Sequence, residues 1–223
     1  MAAASARNLV LRYLTFIVGI FVMAIGIAMT VHARIGTTPV SAIPLVMSYA
    51  TPFTIGFYTV VINAVLLLAQ ILVLRRRFEP IQLLQLPAAF VFGGFCDLAV
   101  WLLEGFQPEF YLWQLLYSVA GSVVLGIGVW LQVTPRVLML AGDGISAAIS
   151  QVTGREFGSV KIVIDSLLVA TAAVLSLVLL GGLVGVREGT FVSAFLVGYV
   201  VRLLQRRVPW PAALRRPESA AHD

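Results

Sequence analysis

The sequence predicts an all-α integral membrane protein of six transmembrane helices, arranged as two inverted three-helix repeats. Each repeat carries a short re-entrant or interfacial helix after its first span. Three observations carry this. Hydrophobic residues make up 60% of the 223 positions and charged residues 11%, with a mean hydropathy of +1.00, against about 45–50% and about 25% in an ordinary soluble domain. The apolar residues fall in runs of bilayer-crossing length. The order of elements then recurs in the second half of the chain.

The runs are Leu9–Val31, Thr54–Leu74, Leu83–Leu103, Leu112–Val133, Gly158–Leu180 and a marginal Gly189–Leu204, each near the roughly 20 residues a helix needs to span hydrocarbon. Two shorter stretches, about Pro39–Ala50 and Gly144–Val152, are too short to cross. Arg7 and Arg12 precede the first run, and Val31-His32-Ala33 loosely resembles a cleavage site. The run is too long for a signal-peptide core, so it reads as a retained first span.

Basic residues set the expected orientation, because positively charged loops stay cytoplasmic. With the N-terminus inside, the cytoplasmic segments hold Arg7 and Arg12, then Arg75–Arg77, then Arg136, Arg155 and Lys161, and finally Arg202, Arg206, Arg207, Arg215 and Arg216. The opposite face holds Arg34 and Arg187, with Glu104, Glu109 and Glu188. The expected setting is a bacterial cytoplasmic membrane with both termini in the cytoplasm. The net charge of +5 is spread over separate loops, so it reads as topology and not as a nucleic-acid surface. Trp101, Tyr111 and Trp113 read as interfacial anchors. Residues 208–223, rich in Pro, lack the apolar area to fold alone and are expected to form a disordered cytoplasmic tail.

The two repeats are expected over residues 1–107 and 108–207. Gly26-Ile27 pairs with Gly126-Ile127, the break at Gly36-Thr37-Thr38-Pro39 with Gly142-Asp143-Gly144, and Ser41-Ala42 with Ser146-Ala147. Gly56 aligns with Gly158, Thr59 with Lys161, Asn63 with Asp165 and Gly94 with Gly198. Three spans per copy is an odd number, so the second copy must enter the membrane from the opposite side, as in many secondary transporters.

On Gly26-Ile27-Ala28 followed by Arg34-Ile35-Gly36-Thr37-Thr38-Pro39, and on Gly126-Ile127-Gly128 with Gly142-Asp143-Gly144, the chain resembles the YczE/YyaS/YitT group of bacterial membrane proteins. The resemblance reaches to about Gln205. It implies a bacterial membrane architecture without naming a substrate, and the lack of a soluble C-terminal domain points to the shorter, YczE-like branch.

An ionisable group in hydrocarbon costs roughly 2.5–3.5 kcal/mol, so each one needs a reason. Asp165 lies about two turns into the fifth span with Lys161 four residues earlier on the same face. The pair reads either as a proton- or cation-coupled carboxylate anchoring a solute, or as a self-satisfied ion pair with Lys161 snorkelling outward. Asn63 holds the matched position without charge. Asp97, beside Gly93-Gly94, reads either as facing a central cavity or as a hydrogen bond to a neighbouring helix.

The two breaks offer helix N-termini. Thr38, before Pro39, is expected to cap the first short helix and Asp143 the second. Thr37, Thr38, Asn63, Asp97, Asp143, Lys161 and Asp165 are therefore the candidate solute-binding residues. Arg34, Gly36, Arg136, Gly142 and Gly144 are the candidate gating or anion-contacting positions. Pro44 is expected to interrupt the first short helix. His32 could titrate near neutral pH but a lone interfacial histidine is commonly incidental, and Cys96 reads as a packed thiol.

No nucleophile with a paired base, metal-ligand spacing or phosphate loop occurs, so neither an enzyme nor a cofactor is expected. The expected partners are the lipid bilayer, a small polar or anionic solute and, because six helices enclose a narrow path, a second copy in a homodimer. A non-transporting scaffold, regulator or assembly partner is the alternative function.

Overall fold

The computed structural model describes residues 2–208, and the expected tail lies outside the described residues except for Val208. Among the described residues there are eight α-helices and no strand. They are α1 (Ala2–His32), α2 (Pro39–Ala50), α3 (Ile55–Leu74), α4 (Gln85–Leu102), α5 (Tyr111–Val133), α6 (Ala141–Thr153), α7 (Phe157–Leu180) and α8 (Glu188–Arg207). The hydropathic runs reappear as these helices because a chain in hydrocarbon must satisfy its backbone internally.

Five helices are long and apolar enough to span, the stretches being Asn8–His32, Ile55–Arg77, Pro80–Leu102, Tyr111–Val133 and Phe157–Leu180. The protein is thus a multi-pass membrane protein. The sixth run forms α8, 20 residues long, but Glu188, Arg202, Arg206 and Arg207 lower its apolarity.

Helix α1 is the most buried of the five spans and packs chiefly on α5. The seam is made by glycines, since lipid offers little hydrophobic drive and close backbone approach must supply the contact. A Cβ on Gly26 would come within 2.5 Å of the Leu125 nitrogen, and one on Gly128 within 2.5 Å of the Met23 nitrogen. Gly19 meets the Gln132 backbone in the same way, and Gly121 meets Met29 and Thr30. Partner numbers on α5 fall as those on α1 rise, so the two helices are antiparallel.

The remaining contacts form a chain of neighbours: α8 on α5, α5 on α1, α1 on α4, α4 on α3, α3 on α2 and α6, and these on α7. Ser122 and Ser193 share a hydrogen bond of 2.8 Å between α5 and α8. Phe21 and Phe95 meet edge to face between α1 and α4, with ring centroids 5.1 Å apart. The circuit is left open between α7 and α8.

Both short helices have buried N-terminal halves, Pro39 and Ser41–Val46 in α2 and Ala141, Gly142 and Gly144–Ser146 in α6. Each break is entered through an arginine in the left-handed region, Arg34 at φ 60° and Arg136 at φ 50°. Contrary to the expectation for Pro44, α2 runs unbroken through it. The ring is fully buried, so packing on both sides offsets the backbone hydrogen bond that proline cannot make.

Candidate functional site

The charged residues meet where α6 joins α7. Asp143 lies in the first turn of α6, and Lys161 and Asp165 lie one turn apart on α7. The Lys161 ammonium stands 2.8 Å from the Asp165 carboxylate and 3.1 Å from Asp143. The three side chains are 23–26% exposed. Two carboxylates share the only lysine of the chain. A proton on either acid, or an anionic group on the ammonium, would break a bridge that ties a short helix to a spanning one.

Asp143 is not the cap of α6, as the sequence suggests. Leu140 holds the N-cap position, and the Asp143 amide donates to the Leu140 carbonyl at 3.1 Å. The helix starts earlier than its glycines imply because buried Leu140 and Ala141 anchor the first turn. The Asp143 side chain is thereby free to reach Lys161.

Thr38 does occupy the N-cap of α2, with extended dihedrals and Pro39 following. Its hydroxyl donates to Ser41 Oγ at 3.0 Å instead of accepting from the first turn. Thr37 is fully buried and shares a 3.1 Å hydrogen bond with Thr30. Asn63 is buried too: its amide donates to the Thr59 carbonyl at 2.8 Å, and its Oδ1 has no protein partner.

Asp97 takes the structural role. Its carboxylate accepts from the Thr54 hydroxyl and the Gly56 amide, both at 2.7 Å, and so caps α3 from α4. Arg34 is exposed and donates to the Gln107 side chain in the loop between α4 and α5. Arg136 is exposed, and its carbonyl, with that of Pro135, accepts from the Arg12 guanidinium. Gly36, at φ 116°, lets the break approach Thr190 of α8, while Gly142 faces Val40 and Gly144 faces the Gln70 amide. Of the predicted residues, the structure thus joins Asp143, Lys161 and Asp165 directly, and gives Asp97, Arg34 and Arg136 other partners.

The match to the family described as "Family of unknown function (DUF6198)" covers residues 10–206, nearly the whole helical part. The chain belongs to this family. It is also 30% identical over 122 residues to the uncharacterized protein YyaS of Bacillus subtilis (strain 168), which agrees with the resemblance read from the glycine motifs. That alignment spans 53% of this chain and 58% of YyaS. No solved structure matches the chain.

One element of this DUF6198 member escapes a reading built on ionisable groups. Buried Gln70 of α3 and Gln85 of α4 exchange two amide hydrogen bonds, at 3.0 and 3.2 Å. Gln70 also donates to the Ala141 carbonyl at 3.3 Å, which fixes the N-terminus of α6. Two glutamines lying inside apolar runs are the trace in the sequence, since a neutral amide in hydrocarbon also needs a partner. His32, in turn, is buried and bonded through Nδ1 to the Ala28 carbonyl at 2.8 Å.

Proposed function

We propose that this protein is a small secondary-transporter-like membrane protein, built from inverted repeats, that binds and moves a small polar or anionic solute at the Asp143–Lys161–Asp165 site. The observation that carries the reading is the ammonium of Lys161 shared between a short helix at a chain break and a spanning helix. Such breaks between repeats are where transporters of this architecture bind solute.

The seam between α1 and α5 supports the repeat. A shift of 102 positions takes Gly19 to Gly121, Met23 to Leu125, Gly26 to Gly128 and Thr30 to Gln132. The contact of Gly26 with Leu125 then becomes that of Gly128 with Met23, and Gly19 with Gln132 becomes Gly121 with Thr30. The same shift relates Arg34 to Arg136, the two left-handed arginines, and Thr59 and Asn63 to Lys161 and Asp165. It favours pairing Gly26 with Gly128 in place of Gly126. Antiparallel α1 and α5 are what inversion of one half requires, and α8 then serves as the sixth span. Arg12, Arg136 and the basic end of α8 gather at one end of the bundle and Arg34 with Gln107 at the other, which supports the cytoplasmic orientation of both termini.

The test is a thermal-shift screen of detergent-purified protein against metabolites and ions at two pH values, with Asp165→Asn alongside. A solute that raises the melting temperature of wild type but not of the variant supports the site, because a ligand of the native state stabilises it by mass action. The scaffold reading is favoured by the exposed aromatics of α8, Phe191, Phe195 and Tyr199. It gains if no solute acts, Asp165→Asn is silent and a membrane partner co-purifies in stoichiometric amount.

A further inference from the structure

The stripe of α7 that carries Lys161 and Asp165 continues at helical spacing through Leu168, Val169 and Ala172. Its two parts have different covers. Lys161 reaches the first turn of α6 through Asp143, with Asp165 beside it, whereas Leu168, Val169 and Ala172 pack with Ala42, Ile43 and Val46 of α2. Helix α2 therefore lies along α7 between the charged site and the loop that joins α7 to α8.

That loop fastens the break that leads into α2. The Thr37 amide donates to the Gly185 carbonyl at 3.2 Å, and the Gly189 amide donates to the Ile35 carbonyl at 2.8 Å. Gly189 belongs to the first turn of α8, where amides have no partner within the helix, so one of these free donors is spent on the break. Val186 is buried in the cluster that α2 forms with α7, and Gly185, at φ 79°, lies against Leu45 and Val46. Ser176 of α7 holds the loop from its other end, donating to the Gly182 carbonyl at 2.6 Å and accepting from the Val184 amide at 2.7 Å. Ile35 and Thr37 are fully buried beneath it.

The second break has no such fastening. The left-handed Arg34 and Arg136 mark equivalent points, so Ile35, Gly36 and Thr37 correspond to Val137, Leu138 and Met139. Among the described residues no backbone bond joins this break to the connection between α3 and α4, where the Phe78 and Gln82 amides donate within the connection itself. Met139 is 45% exposed, and four residues on lies Asp143, in a charged group that keeps about a quarter of its exposure. One break is thus latched and covered while its counterpart is open.

We propose that the α7–α8 loop is a latch that holds α2 over α7, and that the Asp143–Lys161–Asp165 site communicates with the outer face only when this latch releases α2 and the second break closes in exchange. The proposal rests on the transport reading and names its moving part. Inverted repeats give access to one side at a time by exchanging the states of their two halves, and the two breaks differ in the way such an exchange needs. The described conformation is then the one closed outside and open to the cytoplasm. Backbone bonds suit a latch, because they hold the break without placing a further charge beside the site.

The test uses full-length protein in membrane vesicles with Cys96→Ala as background. Gly189→Ala opens the latch, since a Cβ there falls 2.6 Å from the Ile35 carbonyl oxygen while alanine suits the first turn of α8. A thiol introduced by Thr37→Cys is expected to react with a membrane-impermeant maleimide applied from outside roughly tenfold faster once Gly189→Ala is added, because a thiol reacts where its thiolate meets water. Met139→Cys, labelled from the cytoplasmic side, is expected to slow by a similar factor in the same variant. Ser176→Ala, which frees the loop from α7 without touching the break, should move both rates in the same directions and serves if Gly189→Ala does not fold. A Thr37→Cys rate that neither variant changes overturns the latch, and a faster Thr37→Cys with Met139→Cys unmoved makes it a local clamp without exchange. Neither reaction needs a solute. Both rates moving beside a silent thermal-shift screen would leave the latch standing and count against transport, whereas a solute found with both rates fixed would keep the site and remove the latch.

Discussion

Lys161 of α7 stands 3.1 Å from Asp143 of α6, so a helix break is held in place by charge. Asp165, 2.8 Å away on the other side, competes for the same ammonium. The arrangement makes the lysine worth more to the fold than either acid.

Lys161→Met is therefore expected to destabilise more than Asp165→Asn or Asp143→Asn. Stranding a fully buried charge costs about 3–5 kcal/mol, and partial exposure here reduces that to about 1–3 kcal/mol. Either amide variant leaves the ammonium one carboxylate and should cost under about 1 kcal/mol. Thermal unfolding of the purified variants orders them, and an acid variant less stable than Lys161→Met would contradict the shared bridge.

The glycines divide by position. Gly26→Val and Gly128→Val drive a side chain into the facing backbone of α5 or α1, and neither is expected to purify as a monodisperse species. Gly94→Ala and Gly198→Ala enter open space and should be neutral or stabilising by about 0.5–1 kcal/mol, the helix preference of alanine over glycine. Size-exclusion profiles of the four variants separate the classes.

Asp97 is predicted to be a cap and not a solute ligand. Asp97→Ala removes two hydrogen bonds to a charged acceptor and should cost about 2–4 kcal/mol, hydrogen bonds to charged groups being worth about 1.5–3 kcal/mol each before relaxation. Asp97→Asn should retain a good part of that. If a solute is found by thermal shift, its effect on Asp97→Asn should match wild type, and a lost response in a stable variant would return Asp97 to the binding site.

Much of the helical layout is legible because hydrocarbon imposes one requirement per span, a run of apolar residues with an internally bonded backbone. Hydropathy locates Thr54–Leu74 within a residue of α3, and the short stretch at Pro39–Ala50 coincides with α2. The pairing of Lys161 with Asp165 is legible from helical spacing alone. Its bond to Asp143 is not, since it depends on α6 beginning at Ala141, where buried packing outweighs the capping preference of an aspartate. Pro44 misleads for a related reason: local propensity argues for a break, and burial keeps the helix whole. The choice between the two readings of Asp97 is also tertiary, because a carboxylate on α4 can cap α3 only if Gly56 and Gly93 bring the helices together.

The amide pair at the far end of that helix contact yields the last prediction. Gln70 and Gln85 satisfy one another inside the protein, and Gln70 alone reaches α6 through the Ala141 carbonyl. Gln70→Leu strands the Gln85 amide in a dry setting, where an unpaired buried polar group costs about 1–3 kcal/mol. Replacing both with leucine removes donor and acceptor together and should recover much of the loss, leaving mainly the contact to Ala141. A double-mutant cycle on thermal stability is expected to show coupling of about 1–2 kcal/mol between the two positions. Additive single effects would mean that the amides are separately hydrated, and the N-terminus of α6 would then owe its position to the Lys161–Asp143 bridge alone.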